Sequence, residues 1–305
     1  MIDPLAEVVA LLQPAARFSK HVVGAGPWRI RRTDLGEPFY CVVVDGSCLL
    51  TPDGHETIVL RAGDFVLIPA AFGIAMASLD APADTTDSVP VNLGDGSFRI
   101  GRQHGPTDVR IVGGHCSFGS PDADLLVSLL PALIHVRGQR RLTTLVQLVG
   151  DESRQQRPAR DVVLARLLEV VLIEALRSTT GTAASPGLVR GLADDRLAAA
   201  IRAMHERPTR AWTVAEMAKE AALSRSAFFE RFSRAMGMAP MEYLFAWRMA
   251  RAKDLLRRDQ GGVAEIAERV GYGSASAFSV AFTRHVGRPP SQFAREEAAA
   301  AGPSS

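Results

Sequence analysis

The chain has 305 residues, of which 47% are hydrophobic and 22% charged, and its formal net charge is +2. This length accommodates roughly two domains of about 100–200 residues each, and the composition is that of a globular protein with a buried core. No apolar run approaches about 18 residues, which excludes a membrane-spanning helix, and the opening Met1-Ile2-Asp3-Pro4 lacks the basic region of a signal peptide.

The cysteines and the charge distribution narrow the class further. Cys41, Cys48 and Cys116 form neither a CxxC pair nor a zinc-finger spacing, which predicts a reduced, cytoplasmic protein without structural disulfides. Residues 195–305 carry 17 Lys and Arg against 12 Asp and Glu, whereas residues 1–194 have a small acidic excess. The basic C-terminal part would attract phosphate, although the bias is modest.

The first 115 or so residues have the pattern of a β domain. Short apolar runs such as Tyr40–Val44 and Phe65–Ile68 alternate with turn signals such as Asp45-Gly46 and Gly63-Asp64. This spacing predicts a compact antiparallel sandwich or barrel. The stretch Asp80–Gly96, rich in Asp, Thr, Pro and Gly, predicts a long exposed loop.

From Asp122 the pattern is helical. Leucines from Leu125 to Leu133 fall on one face, and Asp161–Arg177 repeats apolar residues over a face wider than one small sheet needs. That segment either packs on the β domain or pairs with a second chain, and we expect a homodimer through it. Ser178–Gly187 is rich in small and turn-forming residues and is the best linker candidate.

The C-terminal part contains an internal repeat. Ser224, Phe228, Phe232, Gly237 and Pro240 each recur 50 residues later, as Ser274, Phe278, Phe282, Gly287 and Pro290. Self-similarity at five positions with one offset indicates a duplicated structural unit.

The sequence of each copy predicts two helices joined by a tight turn. Thr213 and Glu216 have the spacing of a capping box, and Ser224 can cap a second helix. Phe228 and Phe232 then fall on one buried stripe of that helix. The pattern predicts a helix-turn-helix in each copy, with Pro240–Arg258 as the helix that joins them.

These segments resemble the AraC/XylS family of regulators over residues 195–296. The resemblance rests on Trp212-Thr213-Val214, Leu223-Ser224-Arg225-Ser226-Ala227-Phe228, Tyr243-Leu244-Phe245-Ala246-Trp247-Arg248-Met249, Ile266-Ala267-Glu268-Arg269-Val270-Gly271-Tyr272 and the ending Gly287-Arg288-Pro289-Pro290. It implies a transcription regulator that binds double-stranded DNA and has RNA polymerase as a further partner.

The front part resembles the cupin sensor domain of one branch of that family. The resemblance lies in Asp45-Gly46-Ser47-Cys48, Gly63–Pro69 and Leu130–His135. A metal-dependent cupin enzyme is the alternative function. Tyr40-Cys41 stands where metal-binding cupins carry an early histidine pair, and Ala70–Ile74 contains no histidine, so we expect no enzyme, metal or cofactor.

Two helices are predicted to face DNA. In a helix-turn-helix the second helix enters the major groove, and the resemblance places Ser226, Phe229 and Glu230 at base-reading positions. Phe229 could instead pack on the joining helix. The full set of predicted DNA-binding residues is Arg225, Ser226, Phe229, Glu230, Arg231, Arg234, Ala275, Ser276, Ser279, Val280 and Arg284.

Two alternative kinds of signal are expected for the β domain, a small-molecule effector or an oxidant. A small apolar or aromatic effector would bind in a pocket lined by Tyr40, Cys41, Val42, Phe65, Leu67 and Phe72, which could equally be plain core. Alternatively a cysteine of lowered pKa would report oxidants, although buried, inert cysteine is the commoner case.

The sequence as a whole predicts an α+β protein of two domains. A cupin-like antiparallel β-barrel followed by helices occupies 1–180, a linker 181–194, and an all-α domain with two helix-turn-helix units joined by a linker helix 195–305.

Overall fold

The computed structural model describes residues 3–33, 36–81, 86–94, 96–155, 157–179 and 186–300. They form two compact units: a β unit of residues 12–119 and 130–179, and a helical unit of residues 3–11, 120–129 and 186–300. Most of the linker candidate, residues 180–185, lies outside the described residues. The predicted domain limits at 180 and 195 stay predictions.

The strands of the β unit are β1 (Pro14–Ala25), β2 (Arg29–Arg32), β3 (Glu37–Pro52), β4 (Ile58–Arg61), β5 (Phe65–Ala71), β6 (Ile74–Ala77), β7 (Val91–Gly94), β8 (Ser97–Gly101), β9 (Val109–Phe118) and β10 (Ile134–Val136). Its helices are α3 (Arg140–Arg154) and α4 (Arg160–Arg177). The helical unit contains α1 (Pro4–Leu12, to residue 11), α2 (Ala123–Ser128), α5 (Leu188–Leu192), α6 (Asp195–Glu206), α7 (Val214–Glu220), α8 (Arg225–Met236), α9 (Pro240–Arg257), α10 (Val263–Arg269), α11 (Ala275–Val286) and α12 (Pro290–Ala300).

The strands form one curled sheet, a half-barrel, in the order β10-β5-β3-β9-β1-β8-β7. The long strand β3 curls it, because its first half pairs with β5 and β9 and its second half with β4 and β6. Gly46 lies between the halves at φ 76°, where a Cβ atom would come within 1.9 Å of the Asp108 carbonyl oxygen. The cupin-like fold is confirmed, although the β1–β8 pair is parallel where an antiparallel sheet was expected.

Both faces of the central strands are buried. Phe39, Cys41 and Val43 belong to a hydrophobic cluster on the concave face. The alternate residues Tyr40 and Val42 point the other way, because successive side chains of a strand face opposite sides. The helices α3 and α4 pack against that second face of the sheet.

Two stretches differ from the pattern expected of them. The predicted loop Asp80–Gly96 contains the exposed strand β7 in its described part. The predicted leucine-rich helix after Asp122 ends at Ser128, because Pro131 follows and the chain turns into β10. The first helix, α1, was not predicted. None of the helices in the described ranges is long and apolar enough to cross a membrane.

The duplication in the helical unit covers three helices in each copy. The helices α8 and α11 start 50 residues apart, as do α9 and α12, which both have proline at their first position. The helices α7 and α10 start only 49 residues apart. The turn of the second copy is therefore one residue longer than the turn of the first.

Candidate DNA interface and sensor cavity

The first helix-turn-helix consists of α7 and α8. The capping box at Thr213 is formed: the Thr213 N–H donates to Glu216 (2.9 Å), and the Glu216 N–H donates to the Thr213 hydroxyl (3.2 Å). Ala222 takes φ 50° in the turn, where the Leu223 N–H donates to the Ala218 carbonyl. The Ser224 hydroxyl accepts from the Ala227 N–H and so starts α8, as predicted.

The inward stripe of α8 fixes which side chains point outward. Phe228 and Phe232 are fully buried with ring centroids 5.4 Å apart, and Phe232 meets Tyr243 of α9 edge-on. The opposite side of the helix presents Arg225, Ser226, Phe229 and Glu230. Phe229 is 45% exposed, so it is not covered by the joining helix α9. Four of the predicted DNA-binding residues thus share one solvent-facing side.

The arginines of α8 differ in what they contact. Arg231 forms an ion pair with Asp194, the N-cap of α6. Burial would raise the pKa of Asp194, but hydrogen bonds from Arg231 and from two backbone N–H groups together lower it. Arg225 and Arg234 are exposed and make no ion pair within the described residues. They are therefore free to meet phosphate in a way that Arg231 is not.

The second helix-turn-helix, α10 and α11, presents mostly small side chains on the outward side of α11. Ser274 caps α11, and Phe278 and Phe282 are buried as in the first copy. Ser276, Val280 and Arg284 are exposed, and Val280 is 68% exposed, while Ala275 and Ser279 are half-buried. This helix offers methyl groups and hydroxyls but few hydrogen-bonding groups of longer reach.

An arginine that the sequence did not single out for function supports the loop between α6 and α7. Arg248 of α9 is half-buried, and burial lowers the pKa of its guanidinium. It donates to the carbonyl of Pro208 (2.7 and 3.1 Å) and to the carbonyl of Arg210 (2.8 Å). No local signal in the sequence distinguished it, because α9 also carries Arg251, Lys253 and Arg257.

Two buried polar groups also hold the helical unit together. His205 is fully buried, stacks on Trp247 with ring centroids 4.0 Å apart, and hydrogen-bonds Glu7 and the Tyr243 hydroxyl at 2.7 Å each. Lys253 forms a buried ion pair with Asp122. Neither pair could be recognised from the sequence, because the partners lie 198 and 131 residues apart.

The β unit contains a cavity of about 450 Å³ on the concave side of its sheet. Phe18, Lys20 and Val22 of β1 line it, as the alternation of a strand requires. Its other lining side chains are Ile30, Arg31, Arg32, Phe39, Cys41, Ile74, Met76, Asp87, Ser88, Pro90, Phe98, Ile100, Ile111 and His115. The cavity is thus largely apolar, with a few charged groups.

Of the six residues predicted for an effector pocket, only Cys41 lines this cavity. The cross-strand pairs Tyr40–Leu67 and Val42–Phe65 lie on the opposite, helix-covered face and are buried there. Phe72 is 69% exposed. The prediction for the four buried residues was wrong because both faces of these strands are apolar. The sequence pattern therefore did not distinguish the cavity face from the helix-covered face.

The cysteines are unsuited to thiolate chemistry in this conformation. All three are buried, and burial raises the pKa of Cys48 and Cys116 to about 12 and that of Cys41 well above its usual range. In the part of the chain that the structure describes, no three His, Cys, Asp or Glu side chains are grouped to hold a metal ion.

Comparison with known proteins covers both units. Residues 3–181 match the family described as Cupin, and residues 217–296 match the family described as Helix-turn-helix domain. A putative AraC-like transcription regulator of Streptomyces lividans is 36% identical over 96% of this chain and 98% of its own, and one of Streptomyces antibioticus is equally similar. The DNA-binding domain of AdpA, solved with a target DNA, covers 35% of this chain and 96% of that domain at 29% identity and a TM-score of 0.33.

These relatives are transcription regulators, which confirms the prediction that the chain is not an enzyme. The family resemblance seen in the sequence is likewise confirmed over both parts of the chain. The chain belongs to the AraC family of DNA-binding transcription regulators, with a cupin domain in front of its helix-turn-helix domain.

Proposed function

We propose that this regulator reads a specific DNA site and that a small molecule in the cavity of the β unit controls it. The observation that carries the proposal is the cavity itself: about 450 Å³, mostly apolar, in the sensor-type domain of a DNA-binding protein. Pockets of about 300–1,000 Å³ with apolar walls and a few polar groups are typical of small-molecule sites.

We assign base recognition chiefly to α8. The Glu230 carboxylate can accept a hydrogen bond from a cytosine amino group, and Phe229 can pack on a thymine methyl. An exposed phenylalanine beside a carboxylate on the outer side of a recognition helix supports this role. In α11, Val280 and the serines favour methyl contacts and DNA shape, while Arg225, Arg234 and Arg284 supply phosphate contacts. Arg231 contributes less, since it is already paired with Asp194.

The geometry of α9 limits the spacing of the two recognition helices. Its 18 residues span about 27 Å at 1.5 Å per residue. Two recognition helices joined by a helix of this length suit successive major grooves on one face of the duplex, about 34 Å apart. We therefore expect an asymmetric site about two helical turns long.

The first experiment measures binding of the full-length protein to a pool of genomic duplex fragments, including its own upstream region, over a salt series. Enrichment of one such site, with affinity falling steeply as salt rises, is expected. Equal retention of all fragments would contradict sequence-specific binding.

Glu230→Gln then tests the assignment of α8. We expect about a tenfold loss of affinity for the enriched site, together with relaxed preference at one base pair, because a good base contact discriminates by about 1–3 kcal/mol. Glu268→Gln is the matched control, since Glu268 is an exposed carboxylate on α10, outside both recognition helices. Equal behaviour of the two variants would refute the assignment.

We further propose that the chain forms a homodimer through α4. Leu164, Leu168 and Val171 of this helix are buried within the β unit, whereas Val162, Val163 and Val170 remain exposed. Exposed valines on a helix that is already packed favour a partner helix. Sedimentation at micromolar concentration tests this, and a monomer for wild type would contradict it. RNA polymerase stays a proposed partner of the DNA-bound protein.

A redox signal is the weaker candidate. Thiolates attack oxidants and thiols do not, and the three thiols are buried with raised pKa values. Unchanged DNA affinity after mild peroxide treatment is the expected result.

A further inference from the structure

Two cations of the β-unit cavity lie beside its aromatic rings. The Lys20 ammonium lies 4.6 Å from the ring centroid of Phe98 and 4.8 Å from that of Phe18. The Arg32 guanidinium lies 5.3 Å from the same Phe18 ring. Two cations therefore converge on one phenylalanine at the cavity.

Neither of these two cations has a carboxylate partner among the residues that the structure describes. Arg31, the third cation of the lining, forms an ion pair with Asp87 at 3.3 Å, so that carboxylate is already engaged. Lys20 and Arg32 thus leave a local excess of positive charge in the cavity wall.

Lys20 occupies an unusual position for a lysine. It lies between Phe18 and Val22 on the inward side of β1, where apolar residues are expected. Burial lowers the pKa of its ammonium, and the charge of Arg32 lowers it further. A half-buried cation beside a second cation is electrostatically unfavourable, and a bound anion would relieve it.

The rest of the cavity is apolar. Phe39, Ile100 and Ile111 lie on its walls, and Met76 adds an adaptable side chain. A ligand that fills the space must therefore bury an apolar body and present a negative group at one end.

We propose that the cavity binds an organic monocarboxylate, with the carboxylate between Lys20 and Arg32 and an aliphatic or aromatic body against the apolar wall. This inference rests on the proposed function, because it names the class of effector for the same cavity. Arginine and lysine both bind carboxylates through charge-assisted hydrogen bonds, which are stronger than neutral ones.

The test uses the full-length protein and three probes that share one alkyl chain: octanoate, 1-octanol and octylammonium. Binding is measured by titration calorimetry and by the shift of the thermal midpoint, below micelle-forming concentrations, with 4-phenylbutyrate as an aromatic carboxylate. Octanoate is expected to bind about tenfold tighter than octanol, and octylammonium not to bind. Equal affinity for octanoate and octanol, or no binding of either carboxylate, would overturn the proposal.

Substitutions then locate the carboxylate. Lys20→Met and Arg32→Met should each weaken octanoate about tenfold and leave octanol unchanged. Arg17→Met is the matched control, because Arg17 lies on β1 with its side chain 57% exposed and paired with Glu37. If Lys20→Met does not fold, Arg32→Met and the octanoate-to-octanol ratio of wild type decide. Unchanged octanoate affinity in a folded Lys20→Met or Arg32→Met variant would refute the assigned site.

DNA binding and carboxylate binding test different claims. Specific DNA binding without carboxylate binding would refute this inference and leave the regulator intact. Carboxylate binding with identical DNA affinity in the presence and absence of octanoate would support the site and refute ligand control.

Discussion

The buried ion pair between Lys253 and Asp122 makes the helical unit sensitive to a single substitution. Their side chains are only 8% and 5% exposed. The second carboxylate oxygen of Asp122 is also buried, without a hydrogen-bond partner among the described residues. Removal of one partner therefore leaves the other as a buried, uncompensated charge.

Lys253→Met leaves the Asp122 carboxylate without its cation, and Asp122→Leu leaves the ammonium without its anion. Breaking a buried pair from one side destabilises proteins by about 3–5 kcal/mol. That is a large fraction of a total stability of about 5–15 kcal/mol. The double variant should recover much of the loss, because apolar residues of similar volume often replace a buried pair at little cost.

Urea unfolding followed by circular dichroism at 222 nm measures these changes through the helical transition. Arg258→Met is the matched control at the C-cap of the same helix, because Arg258 is half-exposed and pairs with Asp254 at 3.0 Å. Removing such a surface pair should change stability by less than about 1 kcal/mol. If Lys253→Met is no more destabilising than Arg258→Met, or if the two single effects simply add in the double variant, the reasoning is refuted.

Two further predictions concern a glycine and a histidine of the helical unit. Gly271→Ala should destabilise more than Gly287→Ala: both glycines have φ above 80°, which disfavours alanine by about 1–2 kcal/mol, but only at Gly271 would the new Cβ lie 2.3 Å from a backbone oxygen. Equal melting temperatures of the two variants would contradict this. Burial lowers the pKa of His205, although Glu7 raises it in part, so the unfolded chain takes up the proton first as pH falls. The stability from neutral His205 is thus complete above about pH 6.5 and declines below it, by at most about 1.4 kcal/mol per pH unit. Unfolding between pH 7.5 and 5.5 should show this slope in wild type and in His55→Gln, a control at an exposed site, but a smaller slope in His205→Gln; an unchanged slope in His205→Gln would refute the role.

The sequence predicted the helical unit well because its signals are local. A capping box at Thr213, caps at Ser224 and Ser274, and phenylalanines four residues apart each act within one or two helical turns. The duplication then supplied a second, independent copy of the same pattern. The outward side of α8 follows directly, since the buried stripe leaves only one face for DNA.

The interior of the β unit could not be predicted in the same way. The helices α3 and α4 cover one face of the sheet and the cavity occupies the other, so the run from Phe39 to Val43 is apolar without interruption. Alternation of polar and apolar residues shows which face of a strand is buried only when the other face is polar. Neither face of these strands is polar, so the pattern did not show which residues face the cavity. Lys20 is an inward-facing cation on a strand, and its direction depends on the pairing of β1 with β9 and β8.

The sequence by itself therefore determined the family, the paired helix-turn-helix units and the outward residues of the first recognition helix, because these depend on contacts between near neighbours in the chain. Tertiary structure decided what depends on distant ones. It joined Glu7 to His205, Asp122 to Lys253 and Asp194 to Arg231, and it brought Lys20 and Arg32 to the same aromatic ring. Such contacts carry no mark in the sequence, because their members lie far apart in the chain and only folding brings them together.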